Sequence, residues 1–71
     1  MLPDGNYDAI VVDAARDERG IRLELTITAG EHKGEVVAVR AANLTMDPVS
    51  ALGIPARVVV TNNRPIVELE P

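Results

Sequence analysis

The chain has 71 residues, no Cys and a formal charge of −4. The missing Cys excludes disulfides and thiolate metal sites, and the acidic balance argues against tight non-specific binding to a phosphate backbone. The length predicts one domain over residues 1–71, near the lower limit for independent folding. One His cannot form a His-rich metal site, so we expect no metal and no cofactor. A single Tyr is the only aromatic residue, which predicts a thin aliphatic core of the kind that a small barrel or sandwich has.

The first predicted strand covers Tyr7 to Ala15, where most residues are apolar and several are β-branched. The run Ile10-Val11-Val12 interrupts simple alternation, so we expect part of this strand to be covered on both faces. A strand that curls and contributes to both halves of a small barrel would have this pattern. A charged turn at 16–20 leads into the next strand.

The second predicted strand, Ile21 to Thr28, has the clearest pattern in the chain. Apolar and polar residues alternate strictly over all eight positions, as in a strand with one buried and one solvated face. A Gly-bounded loop at 29–34 separates it from a third strand at Glu35 to Ala41. The second and third strands are therefore predicted to pair as a hairpin with a longer loop.

A short helix is predicted over residues 48–52. Asp47 is a favourable N-cap, Pro48 suits the first helical position, and Gly53 suits the position after the end. A helix this short cannot stand alone, so we expect it to plug the end of a barrel. The predicted plug consists of Met46, Val49 and Leu52.

The last two strands are predicted at Ala56 to Thr61 and at Arg64 to Glu70. Asn62 and Asn63 between them tolerate positive φ, which favours a two-residue type I′ turn. Pro65 has no N–H to donate, so it marks the fifth strand as an edge or its first residues as unpaired. Three strands, a helix and two strands give the order of the OB-fold, an all-β, five-stranded Greek-key barrel with one short helix between strands 3 and 4. A five-stranded SH3-like barrel remains the alternative.

Three short motifs carry a family resemblance. Gly5-Asn6-Tyr7 opens strand 1, Gly30-Glu31-His32-Lys33-Gly34 forms the hairpin loop, and Leu52-Gly53-Ile54 precedes the closing strands. In these motifs the chain resembles a group of phage-type single-stranded-DNA-binding-like proteins. The resemblance implies an OB-type barrel and a role beside phage or bacterial DNA metabolism.

Arg22 and Arg40 fall on the polar faces of strands 2 and 3, which in an OB-fold form the groove for oligonucleotides. We expect a phosphate-binding groove there, flanked by cations in the loops, with Arg planes replacing aromatic stacking. Ordinary cross-strand pairing with Glu24 and Glu35 is the alternative. Tyr7 could stack on a base, or cover the core with its hydroxyl at the rim. His32, in the Gly-flanked loop, is expected to be a solvated loop residue. The predicted nucleic-acid-binding residues are Tyr7, Arg16, Arg19, Arg22, Lys33, Arg40 and Arg64.

A second function is also consistent with the sequence. The valine clusters 58–60 and 36–37 predict strands covered on both faces, either by the N-terminal segment or by a second copy of the chain. This favours a homodimer and a protein-interaction or assembly module. No catalytic constellation is visible, so we expect a non-enzymatic protein. No apolar run has the length of a membrane span, and the first residues do not form a signal peptide, so we expect a cytoplasmic protein.

Overall fold

The computed structural model describes residues 2–41 and 47–70. They form five antiparallel strands in one sheet and one short helix, in the predicted chain order. None of the described residues belongs to a helix that is long and apolar enough to cross a membrane. The elements are β1 (Gly5–Asp17), β2 (Gly20–Ile27), β3 (Val36–Ala41), α1 (Pro48–Ala51), β4 (Pro55–Thr61) and β5 (Arg64–Leu69).

β1 is the strand that joins the two halves of the sheet. Its residues 9–17 pair with β2, and its residues 5–10 pair with β4. The register with β2 shifts between Val11 and Asp13, as at a β-bulge, a feature that commonly bends a strand. β1 thus contributes to both halves of the sheet, as predicted. The broken alternation results from the bulge and not from cover on both faces, because Val12 is 50% exposed.

β2 supplies the centre of the core. Its strict alternation is confirmed, because every apolar residue of the strand is fully buried and the residues between them are exposed or half-buried. β2 lies between β1 and β3, so its inner side chains meet apolar neighbours from both sides. The fully buried residues are Ile21, Leu23, Leu25 and Ile27.

The sheet is open, with the strand order β3-β2-β1-β4-β5. β3 and β5 are its edges; they contact each other but share no ladder of hydrogen bonds. The closed barrel predicted from the sequence is thus not confirmed, although the sheet and its single short helix are. The predicted edge position of Pro65 is confirmed, because β5 pairs with β4 alone.

The two Asn residues form the turn that the sequence predicts. Asn62 has φ 52° and Asn63 has φ 63°, and the flanking Thr61 and Arg64 are paired. Positive φ at both central residues defines the type I′ turn, whose twist matches that of the two strands. The carboxylate of Asp4 accepts hydrogen bonds from both backbone N–H groups of the turn, at 3.1 and 3.5 Å.

The predicted helix plug is wrong. Val49 is 74% exposed and Leu52 is 47% exposed, whereas Ala51 is fully buried; Met46 lies outside the described residues. The Asp47 cap is confirmed, because its side chain accepts a 3.0 Å hydrogen bond from the Val49 N–H.

The backbone after the helix explains why Ala51 faces the core. The Gly53 N–H donates to the Val11 carbonyl at 2.9 Å, and the Val11 N–H donates to the Ile54 carbonyl at 3.1 Å. These two hydrogen bonds fix the end of the helix against the bulge of β1. The orientation of α1 is therefore held by these backbone contacts with β1 and by the buried Ala51, and not by the predicted plug residues Val49 and Leu52.

Leu2 packs into the core beside the gap between the edge strands β3 and β5. It is 5% exposed and belongs to the core cluster. It lines a groove of about 240 Å³, whose other lining residues are 35–38 around the start of β3, Val60 and Pro65. We call this space the β3–β5 groove. The segment is held in place because the Tyr7 hydroxyl donates a hydrogen bond to the carbonyl of Pro3.

Candidate nucleic-acid interface

The two arginines at the centre of the predicted site face each other. In the antiparallel register of β2 and β3, Arg22 lies directly opposite Arg40. Both belong to the alternate positions that point away from the core, and both are exposed. The sequence predicts this placement, because the alternation in β2 and the β2–β3 hairpin put these two residues on one face. We call the outward side of these strands the β2–β3 outer face.

Each of these arginines has a carboxylate partner. The Arg22 Nη2 atom lies 3.1 Å from Glu24 Oε1, as the pairing alternative predicts. Arg40 forms its ion pair with Asp17, at the end of β1, and not with Glu35. The hydrogen bond from Arg40, followed by one from the backbone N–H of Arg19, lowers the pKa of Asp17 below its ordinary value.

The turn between β1 and β2 adds a third arginine. β1 and β2 pair up to Asp17 and Gly20, so Glu18 and Arg19 form a two-residue turn. The backbone N–H of Arg19 donates to Asp17 Oδ1 at 2.8 Å. Asp17, Glu18, Arg19 and Arg40 line a shallow groove of about 420 Å³.

Three of the predicted cations therefore gather at one end of the sheet: Arg19, Arg22 and Arg40 form what we call the arginine cluster. Arg16 is exposed near the end of β1, but it pairs in register with Ile21 of β2. Opposed residues of an antiparallel pair share a face, so Arg16 lies on the face of the buried Ile21 and not on the β2–β3 outer face.

The remaining predicted residues lie elsewhere. Lys33 is exposed in the loop between β2 and β3, and Arg64 is exposed at the start of β5. The loop approaches the opposite end of β1, because the Thr28 N–H donates to the Asp8 carbonyl at 2.9 Å. The turn before Arg64 is bound by Asp4, just before β1 begins. The structure does not bring these two cations together with the arginine cluster.

Tyr7 occupies the rim of the core. It is half-buried and packs against the core cluster. Its ring meets His32 edge-on, with centroids 5.8 Å apart and an interplanar angle of 80°. Its hydroxyl is already bonded to Pro3. This geometry matches the second interpretation of Tyr7, a core residue with its hydroxyl at the edge.

His32 is more engaged than the sequence predicts. The sequence favours a solvated loop residue, but His32 is half-buried, contacts Tyr7 and forms a hydrogen bond with Glu35. It also lines an open groove of about 460 Å³ beside Asn6 and Asp8. The i to i+3 spacing of His32 and Glu35 within a tight loop is the only signal in the sequence for this contact.

The other distinctive surface is apolar. Val36 is 62% exposed and Ile66 is 57% exposed, one on each edge strand. The expectation that Val36 and Val37 are covered on both faces is wrong for Val36, whose outer face is open. Val59 of β4 is half-buried and lies opposite Ile66.

Chemically, the arginine cluster offers guanidinium groups that neighbouring carboxylates already neutralise in part. A phosphate can bind there only by exchanging with a carboxylate or by using the donors that the ion pairs leave over. Within residues 2–41 and 47–70, no three His, Asp or Glu side chains come together in a group that could hold a metal ion.

Comparison with known proteins gives no further guidance, since no family model, curated protein or solved structure matches the chain.

Proposed function

We propose that this protein is a small non-enzymatic module that binds single-stranded nucleic acid weakly through the β2–β3 outer face. The phosphates of the strand would contact the arginine cluster. The proposal agrees with the resemblance to phage-type single-stranded-DNA-binding-like proteins, and we propose a cytoplasmic location with it.

The observation that carries the proposal is the direct opposition of Arg22 and Arg40. Like charges directly opposite each other on antiparallel strands destabilise a sheet. Here Glu24 and Asp17 offset the two charges in part, so the two arginines can lie side by side. Two guanidinium groups on adjacent strands, with Arg19 in the nearby turn, suit a chain of phosphates that crosses the strands.

The strand order supports an OB-type fold as part of the proposal. An OB barrel cut open between strands 3 and 5 has the order β3-β2-β1-β4-β5, which is the order of this sheet. β3 and β5 already contact each other. We infer that the chain is an OB-like barrel with its last seam unpaired, and hydrogen exchange tests this. β3 and β5 share no ladder hydrogen bonds in the structure. Slow exchange of the amides with which these two strands face each other would therefore indicate that the barrel closes in solution.

The functional test is a fluorescence-anisotropy titration with a labelled oligothymidylate of about 12 nucleotides, within the site size of one OB-fold. Titrations at about 50 and 200 mM salt would show weaker binding at the higher concentration, because bound phosphates release counterions. Arg22→Ala and Arg40→Ala should each weaken binding several-fold. Arg57→Ala is the matched control, because Arg57 is an exposed arginine on β4 that pairs with Glu70 at 3.8 Å, away from the arginine cluster.

Equal losses in all three variants would show that only net charge matters and would contradict a site on the β2–β3 outer face. Absence of binding at the lower salt concentration would refute the proposed function itself.

A protein-interaction or assembly module is the second candidate. It is favoured by the exposed Val36 and Ile66, which lie on the two edge strands, and by the β3–β5 groove with its apolar lining. The occupant we propose for this candidate is a second copy of the chain. Sedimentation equilibrium of the wild type and of Val36→Lys would detect a homodimer that the substitution breaks. A strict monomer at high concentration would rule this candidate out.

A further inference from the structure

We propose that Asp17 is a built-in competitor for the phosphate site, so that its carboxylate occupies Arg40 until a nucleic-acid phosphate displaces it. The inference rests on the proposed function and assigns a specific ligand position within it. The position is the outer end of the Arg40 guanidinium, in the groove formed with the turn of Glu18 and Arg19.

The contacts of Asp17 are those that a phosphate would make. One carboxylate oxygen accepts from the Arg40 Nη1 atom, and the other accepts from the backbone N–H of Arg19. Arginine binds carboxylate and phosphate through the same planar donors, so either anion fits this position. The two donors come from the β1–β2 turn and from β3, and the Asp17 carboxylate bridges them.

The pair is also accessible. The side chains of Arg40 and Asp17 are 40% and 42% exposed, so a strand of nucleic acid can reach the guanidinium without unfolding the protein. An exposed ion pair contributes little to stability and can be exchanged for another. Arg22 has a separate partner in Glu24, so displacement of Asp17 leaves the neighbouring pair intact.

Asp17→Asn tests the inference. The amide oxygen of Asn can still accept the hydrogen bond from the Arg19 N–H, so the turn keeps its geometry, while the charge opposite Arg40 is lost. We expect binding of the oligothymidylate to tighten about five-fold at low salt, equivalent to one charge contact in water. The slope of log affinity against log salt should stay nearly unchanged, because a phosphate contacts Arg40 in both proteins and only its competitor is removed.

Glu18→Gln is the matched control. It removes one negative charge from the same turn but leaves the Arg40–Asp17 pair in place, and no ion pair of Glu18 occurs within the described residues. We expect its affinity to change by less than about two-fold, because solvent and salt screen an unpaired surface charge. In the double variant Asp17→Asn/Arg40→Ala, the gain should disappear. Circular dichroism of each variant would confirm that the fold is retained.

The results separate this inference from the proposed function. If the wild type binds and loses affinity with Arg22→Ala, but Asp17→Asn binds no more tightly than Glu18→Gln, then Asp17 is not a competitor and the proposed function stands. If neither the wild type nor Asp17→Asn binds, both proposals are refuted.

Discussion

Leu2 and Leu52 provide a matched pair of Leu→Ala substitutions that tests how the core is completed. The structure buries Leu2 beside the β3–β5 groove at 5% exposure, and leaves Leu52, after the short helix, at 47% exposure. The sequence pattern instead predicts that Leu52 is buried, as part of a helix that plugs the barrel. The same chemical change at the two positions should therefore have clearly different effects on the free energy of unfolding.

The expected magnitudes follow from burial. Leu→Ala removes three carbon groups, and each buried group contributes about 0.8 kcal/mol, so Leu2→Ala should cost about 2.4 kcal/mol. Leu52 has about half of its surface covered, so Leu52→Ala should cost about 1 kcal/mol on the same scale. A domain of this size has a total stability of roughly 4–10 kcal/mol, which makes the first loss a large fraction of the whole.

Urea denaturation followed by far-ultraviolet circular dichroism is the suitable assay, because the chain has no Trp. Leu2→Ala should lower the midpoint with an unchanged slope, and should lower the Tm by about 10–20 °C. Leu52→Ala should shift both far less. If Leu52→Ala cost as much as Leu2→Ala or more, the helix would be the plug after all, and the role given to Leu2 would be wrong.

Three further predictions concern single positions. Arg40 lowers the pKa of Asp17 below its ordinary value of 3.8. The ionised carboxylate therefore stabilises the fold above that pH, and this stabilisation is lost as the pH falls through the lowered pKa. The acid side of a curve of Tm against pH should therefore be flatter in Asp17→Asn than in the wild type. Asn63→Ala should cost about 1 kcal/mol in urea denaturation because φ is 63° there, whereas Asn63→Gly should not; equal losses would contradict this backbone explanation. Ala51→Leu should cost about 1–3 kcal/mol by overpacking a fully buried position, while Ser50→Leu, at an exposed position of the same helix, should be nearly neutral; a neutral Ala51→Leu would mean that the space beneath α1 is not filled.

Local signals allowed much of the fold to be predicted. The alternation in β2 identifies its buried face because a strand has a side-chain period of two. The Asn62-Asn63 pair identifies its turn because few residues accept positive φ. Asp47 identifies the start of α1 because a carboxylate can bind the N–H groups left over there. Each of these features depends only on residues within one element, so the local sequence is enough to predict it.

Long-range packing could not be predicted in the same way. Leu2 reaches the core because β3 and β5 leave space between them, and no pattern near residue 2 indicates this. α1 turns Ala51 inward because the backbone of Val11 binds the residues that follow the helix, and backbone hydrogen bonds leave no mark in the pattern of apolar side chains.

The candidate site shows the same division. The opposition of Arg22 and Arg40 and the pairing of Arg22 with Glu24 follow from strand parity and a neighbouring hairpin. The partner of Arg40 is Asp17, which is 23 residues away and two strands distant in the sheet. Only the position of the β1–β2 turn beside the end of β3 creates that contact.

The shared strand β1 also sets the order in which the chain can fold. The β1–β2 and β4–β5 hairpins each close around a two-residue turn, so both can form quickly from nearby segments. Residues 5–10 of β1 must then find partners on β4 that are about 50 residues away along the chain, at a large cost in loop entropy. We therefore expect docking of the two hairpins along β1 to be the slow step, so that substitutions in β4 that weaken this pairing retard refolding more than equally destabilising changes in the β4–β5 turn.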